Sequence, residues 1–143
     1  MKKIFIASDH AGFELKNILV QSLRSSVEII DLGPNSTDSV DYPDFAKTLS
    51  QKVLSTPDTA GILLCGSGIG MSIAANRFKG IRAALVWNNE LAKLSRQHNN
   101  ANVVVLPARF LKSEDAISIV NDWLNTAFEG GRHQKRVDKI EIA

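Results

Sequence analysis

The chain has 143 residues, of which 44% are hydrophobic and 22% charged, and its formal net charge is +2. This size and composition predict one globular domain over residues 1–143, and so small a net charge does not indicate a nucleic-acid partner. Its one cysteine excludes an internal disulfide framework and any multi-cysteine metal cluster.

Short apolar runs alternate with segments of helical periodicity along the chain. The apolar runs predict β-strands at residues 4–7, 27–32, 61–65, 82–87 and 103–106. Helical spacing recurs at 13–25, 43–55, 71–78 and 88–98, and a last long helix is predicted from an N-cap at Ser113 to Phe128. No run approaches the roughly 20 apolar residues of a membrane helix and no secretory leader is evident, so we expect a cytoplasmic protein without a membrane partner.

Strands that alternate with helices predict an α/β domain with a five-stranded parallel sheet covered on both faces. In such sheets, ligands bind beyond the carboxyl ends of the strands. Residues expected at those ends include Asp9, His10, the 65–70 segment and Arg109. His98 instead ends a helix, so either the path of the chain or a second subunit would have to bring it to the carboxyl ends of the strands.

The segment Cys65-Gly66-Ser67-Gly68-Ile69-Gly70 joins a predicted strand to a predicted helix. Glycines let backbone N–H groups approach a ligand closely, and a helix N-terminus favours an anion. The spacing does not match a dinucleotide-binding or Walker loop, and Met71 stands where a cysteine phosphatase would carry arginine. The segment is therefore predicted to be an anion cradle beside a thiol, although a turn that merely packs helix on strand is the alternative.

Each candidate side chain also has a purely structural interpretation. Cys65 could be a nucleophile or base, or a small core residue. Asp9 could serve chemistry at the end of the first strand, or only cap the segment that follows it. His98 could act on a ligand, or only favour the helix dipole.

The tail after Gly130 and Gly131 carries Arg132 and Arg136, which fall four residues apart on one helical face. Two guanidinium groups directed the same way form a good phosphate clamp. A solvated basic tail and a nucleic-acid patch are alternatives, although no aromatic side chains for base stacking accompany the arginines. A metal site formed by His10, His98, His133 and nearby carboxylates is an alternative that their spacing leaves open. No short-range ligand pair supports it, so we predict none.

Short blocks spread over nearly the whole chain occur together in one known family. They are residues 8–13, 41–43, 65–70, 73–76, 80–83, 95–99 and 129–133. In these blocks the chain resembles the B-type ribose-5-phosphate isomerases, a family shared with galactose-6-phosphate isomerase subunits. The resemblance implies a single-domain Rossmann-like α/β/α sandwich with a C-terminal helical tail. It also implies a homodimer or dimer of dimers with the active site between subunits, and no metal or organic cofactor.

The resemblance further implies roles for individual residues. The proton-transferring base falls on Cys65 and the histidine that assists ring opening on His98. Ser67 stands where many members carry threonine and keeps the hydroxyl, so we expect the same catalytic function from it. Contacts to sugar and phosphate fall on Asp9, His10, Tyr42, Asn99, Arg109, Arg132 and Arg136, with Gly66, Ser67, Gly68, Ile69 and Gly70 as the anion cradle.

The implied reaction interconverts ribose 5-phosphate and ribulose 5-phosphate through an enediolate. Trp87, Asn88 and Asn89 depart from the smaller or acidic residues expected in the family. Galactose 6-phosphate, allose 6-phosphate or a tetrose phosphate is therefore an alternative substrate. A non-catalytic phosphate-binding module on the same sheet is a more distant alternative.

Overall fold

A computed structural model describes residues 3–141. At its centre lies a five-stranded sheet in the order β2-β1-β3-β5-β4, and every strand pair is parallel. The strands are β1 (Lys3–Ser8), β2 (Glu28–Asp31), β3 (Thr59–Cys65), β4 (Ala83–Leu85) and β5 (Val103–Pro107). The predicted α/β fold with a five-stranded parallel sheet is thus confirmed.

Helices cover both faces of the sheet. They are α1 (Phe13–Leu23), α2 (Tyr42–Ser55), α3 (Ile69–Ala75), α4 (Asn89–Gln97), α5 (Ser113–Leu124) and α6 (Arg132–Asp138). Short 3-10 helices follow β1 at His10–Gly12 and β5 at Ala108–Phe110. No helix among residues 3–141 combines the length and apolar character that crossing a membrane requires.

Side chains that alternate along the strands divide the core into two layers. Ile6, Ile62 and Val104 pack in one cluster with residues of α1, α4 and α5. Leu63 and Val105 pack in the other with residues of α2 and α3. Both sides of the central strands are therefore apolar, which explains why they appear in the sequence as nearly continuous hydrophobic runs.

An ion pair ties α1 to β2. Lys16 is only 1% exposed, and its Nζ lies 2.6 Å from Oδ2 of Asp31, a side chain 32% exposed. The other oxygen, Oδ1, accepts the N–H of Gly33 at 2.8 Å. The carbonyl of Gly33 in turn accepts the N–H of Ser8 at 3.0 Å. The pair therefore supports the end of β1, where the segment with Asp9 and His10 begins.

Several predicted boundaries were wrong. The helix predicted at 71–78 begins at Ile69 and ends at Ala75. Ser113 is not an N-cap but the first residue of α5, because the extended backbone of Lys112 precedes it. The same helix ends at Leu124 rather than reaching Phe128, since the chain turns there and the Thr126 carbonyl accepts Nε of Arg96 at 3.1 Å.

The strand predicted at 82–87 was also too long. β4 is limited to Ala83–Leu85, because the Arg82 N–H donates to the side chain of Asn102 at 2.8 Å rather than to a strand. Beyond the other end, Trp87 is 55% exposed. Asn88 caps α4, and its Oδ1 accepts the N–H of Leu91 at 2.8 Å.

Candidate active site

Strands β1 and β3 are neighbours at the centre of the sheet, and the chain leaves them in opposite directions. From β1 it crosses to the edge strand β2, whereas from β3 it crosses toward β4 and β5. A reversal of this kind opens a crevice beyond the carboxyl ends of the two strands, which is where open α/β sheets bind ligands. The carboxyl ends here are Ser8 and Cys65.

A cavity of about 680 Å³ opens at that position. This volume is in the usual range for small-molecule sites. The structure brings together here most of the residues singled out in the sequence. They are Asp9, His10, Tyr42, Cys65, Gly66, Ser67, Ile69, Gly70 and Arg109, accompanied by Ala11, Ile73 and Phe110.

Cys65 lies at the inner wall of the cavity. It is 5% exposed, and its Sγ accepts the N–H of Gly68 at 3.2 Å. Gly68 has φ of +76°, and a Cβ there would lie 2.4 Å from Cδ1 of Leu85. The left-handed backbone and the lack of space both require glycine, and together they turn the amide toward the sulfur.

The amides of the 66–70 loop are not all free to meet a ligand, as the sequence had suggested. Gly68 donates to the sulfur and is absent from the cavity lining. Ile69 donates to Oγ of Ser67 at 3.2 Å. Within this loop the remaining candidate donors are the amides of Gly66, Ser67 and Gly70, which line the cavity and donate to no other atom of residues 3–141. Gly70 is in the first turn of α3, where a helix provides no intrahelical acceptor for its N–H groups.

Two side chains lie directly against glycines of this loop. A Cβ on Gly66 would be 3.0 Å from Nη1 of Arg109. The backbone N–H of Arg109 donates to the Gly66 carbonyl at 3.0 Å. A Cβ on Gly70 would be 2.6 Å from Cζ of Tyr42. Glycine at these positions therefore lets a guanidinium and a phenol form the walls of the cavity.

Asp9 and His10 close the side nearest β1. The Asp9 carboxylate is buried and accepts the N–H of Gly12 at 3.1 Å, so it caps the 3-10 helix while it lines the cavity. In His10, Nδ1 accepts the N–H of Val40 at 3.3 Å. This hydrogen bond assigns the proton of the neutral ring to Nε2, which leaves that atom as a donor.

The other predicted site residues lie outside this lining. His98 follows α4 as its C-cap and stacks on His133. Asn99 borders a different depression, beside Arg82 and Asn76. Arg132 and Arg136 are exposed and four residues apart on α6, as predicted. One chain thus presents two separate groups of candidate residues.

His133 was considered only as one possible metal ligand and was not predicted as a site residue. The expectation that no short-range ligand pair exists was wrong, because Glu129 and His133 stand four residues apart with Oε1 and Nε2 3.4 Å from each other. The two imidazole centroids of His98 and His133 are 4.3 Å apart, at an angle of 14°. Burial lowers the pKa of His133 from its usual 6.5, and the neighbouring His98, Arg132 and Arg136 lower it further, against an opposing effect of Glu129. Within the described residues, His98, Glu129 and His133 also form a set of donors suited to a metal ion.

Large apolar side chains surround the mouth of the cavity. Tyr42 is 40% exposed, Ile69 54%, Ile73 60% and Phe110 76%. Ile73 and Phe110 were not singled out from the sequence, although Phe110 directly follows Arg109. Four large apolar side chains around one cavity are unusual for a surface that faces only water.

Comparison with known proteins gives close relatives over almost the full chain. A family model described as Ribose/Galactose Isomerase matches residues 4–140. The ribose-5-phosphate isomerase B of Escherichia coli K12 is 46% identical over 141 residues, which are 98% of this chain and 95% of that protein. The probable ribose-5-phosphate isomerase B of Mycoplasma pneumoniae is 50% identical over 139 residues, which are 96% of this chain and 91% of that protein.

Solved structures agree with the sequence relatives. A ribose 5-phosphate isomerase from Thermotoga maritima has a TM-score of 0.95 at 54% identity, with 97% of each chain covered. Ribose-5-phosphate isomerase B from Mycoplasma genitalium, solved with bound ribulose-5-phosphate, has a TM-score of 0.93 at 50% identity, covering 96% of this chain and 93% of that one. From its sequence and its fold alike, the chain belongs to the ribose/galactose isomerase family.

Proposed function

We propose that the protein interconverts ribose 5-phosphate and ribulose 5-phosphate by proton transfer through an enediolate. The observation that carries this proposal is the sulfur of Cys65 at the wall of a cavity large enough for a sugar phosphate, with the Gly68 N–H directed at it. The relative from Mycoplasma genitalium with bound ribulose-5-phosphate supports the choice of substrate.

In this proposal the Cys65 thiolate removes the proton from carbon 2 of the open-chain aldose. The electron pair of that C–H bond forms the C1–C2 double bond, and the carbonyl oxygen on carbon 1 takes up the negative charge. The hydroxyl proton at carbon 2 then moves to the oxygen on carbon 1, and the electron pair of that O–H bond forms the carbonyl at carbon 2. Return of the first proton from Cys65 to carbon 1 takes up the electron pair of the C1–C2 double bond and gives the ketose. Carbon 2 is oxidised and carbon 1 reduced within one molecule, so the step needs no external oxidant or cofactor.

The enediolate oxygens need donors that are in place before the reaction. Gly66, Ser67 and Gly70 line the cavity beside Cys65, and we propose that their amides and the Ser67 hydroxyl are these donors. One preorganised donor of this kind is worth about 3 kcal/mol in the transition state. Gly68, by contrast, holds the charge of the thiolate rather than that of the substrate.

Binding of the phosphate and protonation of the ring oxygen require side chains from outside the cavity that Cys65 lines. Arg132 and Arg136 suit a phosphate dianion because each guanidinium offers a planar pair of donors. His98 suits ring opening, since an imidazole can both give and accept a proton near neutral pH. We propose that Asp9, His10, Tyr42, Asn99 and Arg109 provide the remaining contacts to sugar and phosphate.

We further propose that a second copy of the chain completes each site. The cavity lining contains Cys65 but none of His98, Arg132 or Arg136. The exposed apolar rim gives a second copy a surface to bury, as is usual for a self-complementary dimer. A homodimer, alone or paired with another, would bring the arginines of one copy to the thiol of the other.

The test of the proposed function is ketose formation from ribose 5-phosphate, measured by circular dichroism or a coupled assay. Galactose 6-phosphate, allose 6-phosphate and a tetrose phosphate are assayed in parallel, because the name of the family covers galactose as well as ribose. Faster turnover of one of these would identify it as the preferred substrate, and the proposed type of reaction would be unchanged. Binding of every sugar phosphate without any product would indicate a non-catalytic module.

The base is tested with Cys65→Ala, for which we expect kcat to fall by about 10²- to 10⁴-fold. Sugar-phosphate binding, measured by calorimetry, should be largely retained because the phosphate contacts are untouched. Turnover at the rate of the unmodified protein would remove Cys65 from the mechanism.

The phosphate clamp is tested with Arg136→Ala. Loss of a charge-assisted hydrogen bond should raise KM by about ten- to a hundredfold. Lys135→Ala is the matched control, because Lys135 is an exposed cation on the same helix. Equal effects of the two substitutions would indicate a general charge effect rather than a clamp.

A further inference from the structure

We propose that His98, Glu129 and His133 form a binding site for one divalent ion of the Zn²⁺ class, and that this ion inhibits the enzyme. The binding claim concerns only these three side chains. The inhibition rests on the proposed function, since it assumes that His98 assists ring opening.

The three donor atoms already lie close together. Oε1 of Glu129 is 3.4 Å from Nε2 of His133 and 3.9 Å from Nε2 of His98. All three donors lie within 4.8 Å of one another. Tetrahedral zinc with Zn–N bonds of about 2.0 Å separates its ligands by about 3.3 Å. The two sides of the donor triangle that meet at Glu129 are therefore close to those of an occupied site, whereas the side between the two imidazoles, at most 4.8 Å, has to shorten or stay long.

Backbone hydrogen bonds hold the three residues in place. The His98 N–H donates to the Leu94 carbonyl at 2.9 Å, and the Glu129 N–H donates to the Gln97 carbonyl at 3.1 Å. The His133 N–H donates to the Gly130 carbonyl at 3.0 Å. Chain segments far apart in sequence are thus fixed side by side before any ion arrives.

The side chains differ in their freedom to adjust. That of His133 is 11% exposed, whereas those of His98 and Glu129 are 40% and 52% exposed. A shared ion must lie near the plane of both rings, so the stacked rings have to splay apart. We expect the His98 ring to rotate out of the stack and the Glu129 carboxylate to adjust, while His133 stays in place.

The donor types determine the class of ion. Two imidazoles and one carboxylate with an open fourth position are a common zinc ligand set, and imidazole also suits Cu²⁺ and Ni²⁺. Mg²⁺ and Ca²⁺ prefer sites made entirely of oxygen. Arg132 and Arg136 lie near enough to act on His133 and oppose a cation, so binding should be reversible rather than structural.

An ion bound at this site would prevent His98 from transferring protons. A lone pair that coordinates a metal cannot accept a proton, and the imidazole of a ligand is held in one orientation. The ion would therefore lower the rate while the Cys65 cavity stays open to substrate. Removal of the ion by a chelator should restore the full rate.

The test is calorimetric titration of Zn²⁺ into Cys65→Ala protein, a background that removes the only thiol able to compete for zinc. We expect one ion per chain. Glu129→Gln and His133→Asn should each weaken binding by at least about tenfold, whereas Glu90→Gln, an exposed carboxylate on α4, should not. Because binding is measured without turnover, its outcome is independent of whether the proposed function holds.

Inhibition is then measured on the protein with Cys65 intact. Zn²⁺ should slow ketose formation, EDTA should reverse the effect, and Glu129→Gln should shift the inhibitory concentration upward by about the factor seen in binding. Zinc binding that is unchanged by both Glu129→Gln and His133→Asn would overturn the site. Binding at the site without inhibition would overturn the regulatory role alone.

Discussion

Gly68 shows how one backbone angle determines where an amide meets a side chain. Its φ of +76° directs the N–H to the Cys65 sulfur, and its missing side chain leaves room for Leu85. An alanine at this position would meet both a left-handed backbone and a contact of 2.4 Å to Cδ1 of Leu85. The loop would have to shift, and the amide would leave the sulfur.

We therefore expect Gly68→Ala to lower the free energy of unfolding by about 2 to 4 kcal/mol, the sum of a left-handed backbone cost and overpacking. Gly130→Ala is the matched control, because Gly130 has φ of +69° but no neighbouring atom within 4 Å of the position that an alanine Cβ would take. It should cost only about 1 to 2 kcal/mol. Urea unfolding measures both variants, and equal losses would contradict the role given to Leu85.

His133 makes the stability of the fold depend on pH. Burial, followed by the nearby positive groups, lowers its pKa in the folded state below the usual 6.5. The unfolded chain therefore takes up a proton at a pH where the folded chain does not. Since unfolding binds protons in that range, the free energy of unfolding falls as the pH drops from neutrality through 6.5 toward the folded-state value.

The measurement is urea unfolding at about pH 7.5 and about pH 5.5, with EDTA present, on the unmodified protein and on His133→Gln. We expect the acid-induced loss of stability to be smaller in the variant, because the depressed imidazole is gone. An identical loss in both proteins would show that other groups are responsible.

At the level of elements, the ion pair between Lys16 and Asp31 joins α1 to β2, and its two side chains differ in their exposure to water. Lys16 is 1% exposed, whereas Asp31 is 32% exposed and can be hydrated. Removal of the carboxylate leaves a buried ammonium without its partner, while removal of the ammonium leaves a carboxylate that water can reach. The two single substitutions should therefore differ in cost.

We expect Asp31→Asn to lower the free energy of unfolding by about 2 to 4 kcal/mol and Lys16→Met to lower it by about 1 kcal/mol. The double variant should be more stable than Asp31→Asn alone, because the buried charge is then absent. Thermal and urea unfolding of the three proteins checks this order. A greater loss for Lys16→Met than for Asp31→Asn would contradict it.

How well the sequence predicts a strand or a helix depends on whether its own residues or contacts with distant residues determine its ends. Strands buried on both faces produce long apolar runs, so the central strands were identified with small errors at their ends. The end of α5 depends instead on Arg96, whose Nε reaches the Thr126 carbonyl 30 residues away. A contact at that distance leaves no periodic signal in the sequence.

The candidate site likewise contains residues whose position the sequence predicts and residues whose position it does not predict. Cys65 ends a central strand and Asp9 and Arg109 follow two others, and parallel topology gathers such residues at one edge of the sheet. The position of His133 beneath His98 was not predictable. α6 contributes to neither core cluster, so hydrophobic spacing gives no information about where it docks.

At the level of the whole molecule, His98, Arg132 and Arg136 lie outside the cavity that Cys65 lines, and the proposed sharing of sites between two copies makes this arrangement testable. If each site combines the Cys65 cavity of one copy with the His98 of another, then Cys65→Ala and His98→Ala disable different halves of it. Each variant alone has no intact site. A mixed dimer has one site with both substitutions and one site with neither.

Coexpression of the two variants should therefore restore activity. Random pairing makes half of the dimers mixed, each with one intact site of two, so the recovered rate should be about a quarter of that of the unmodified protein. A mixture of Cys65→Ala with Cys65→Ser is the control and should remain inactive, since every site then lacks the thiol. If each chain builds its site alone, the mixture of Cys65→Ala and His98→Ala also remains inactive, because no pairing of chains can then join an intact thiol to an intact imidazole.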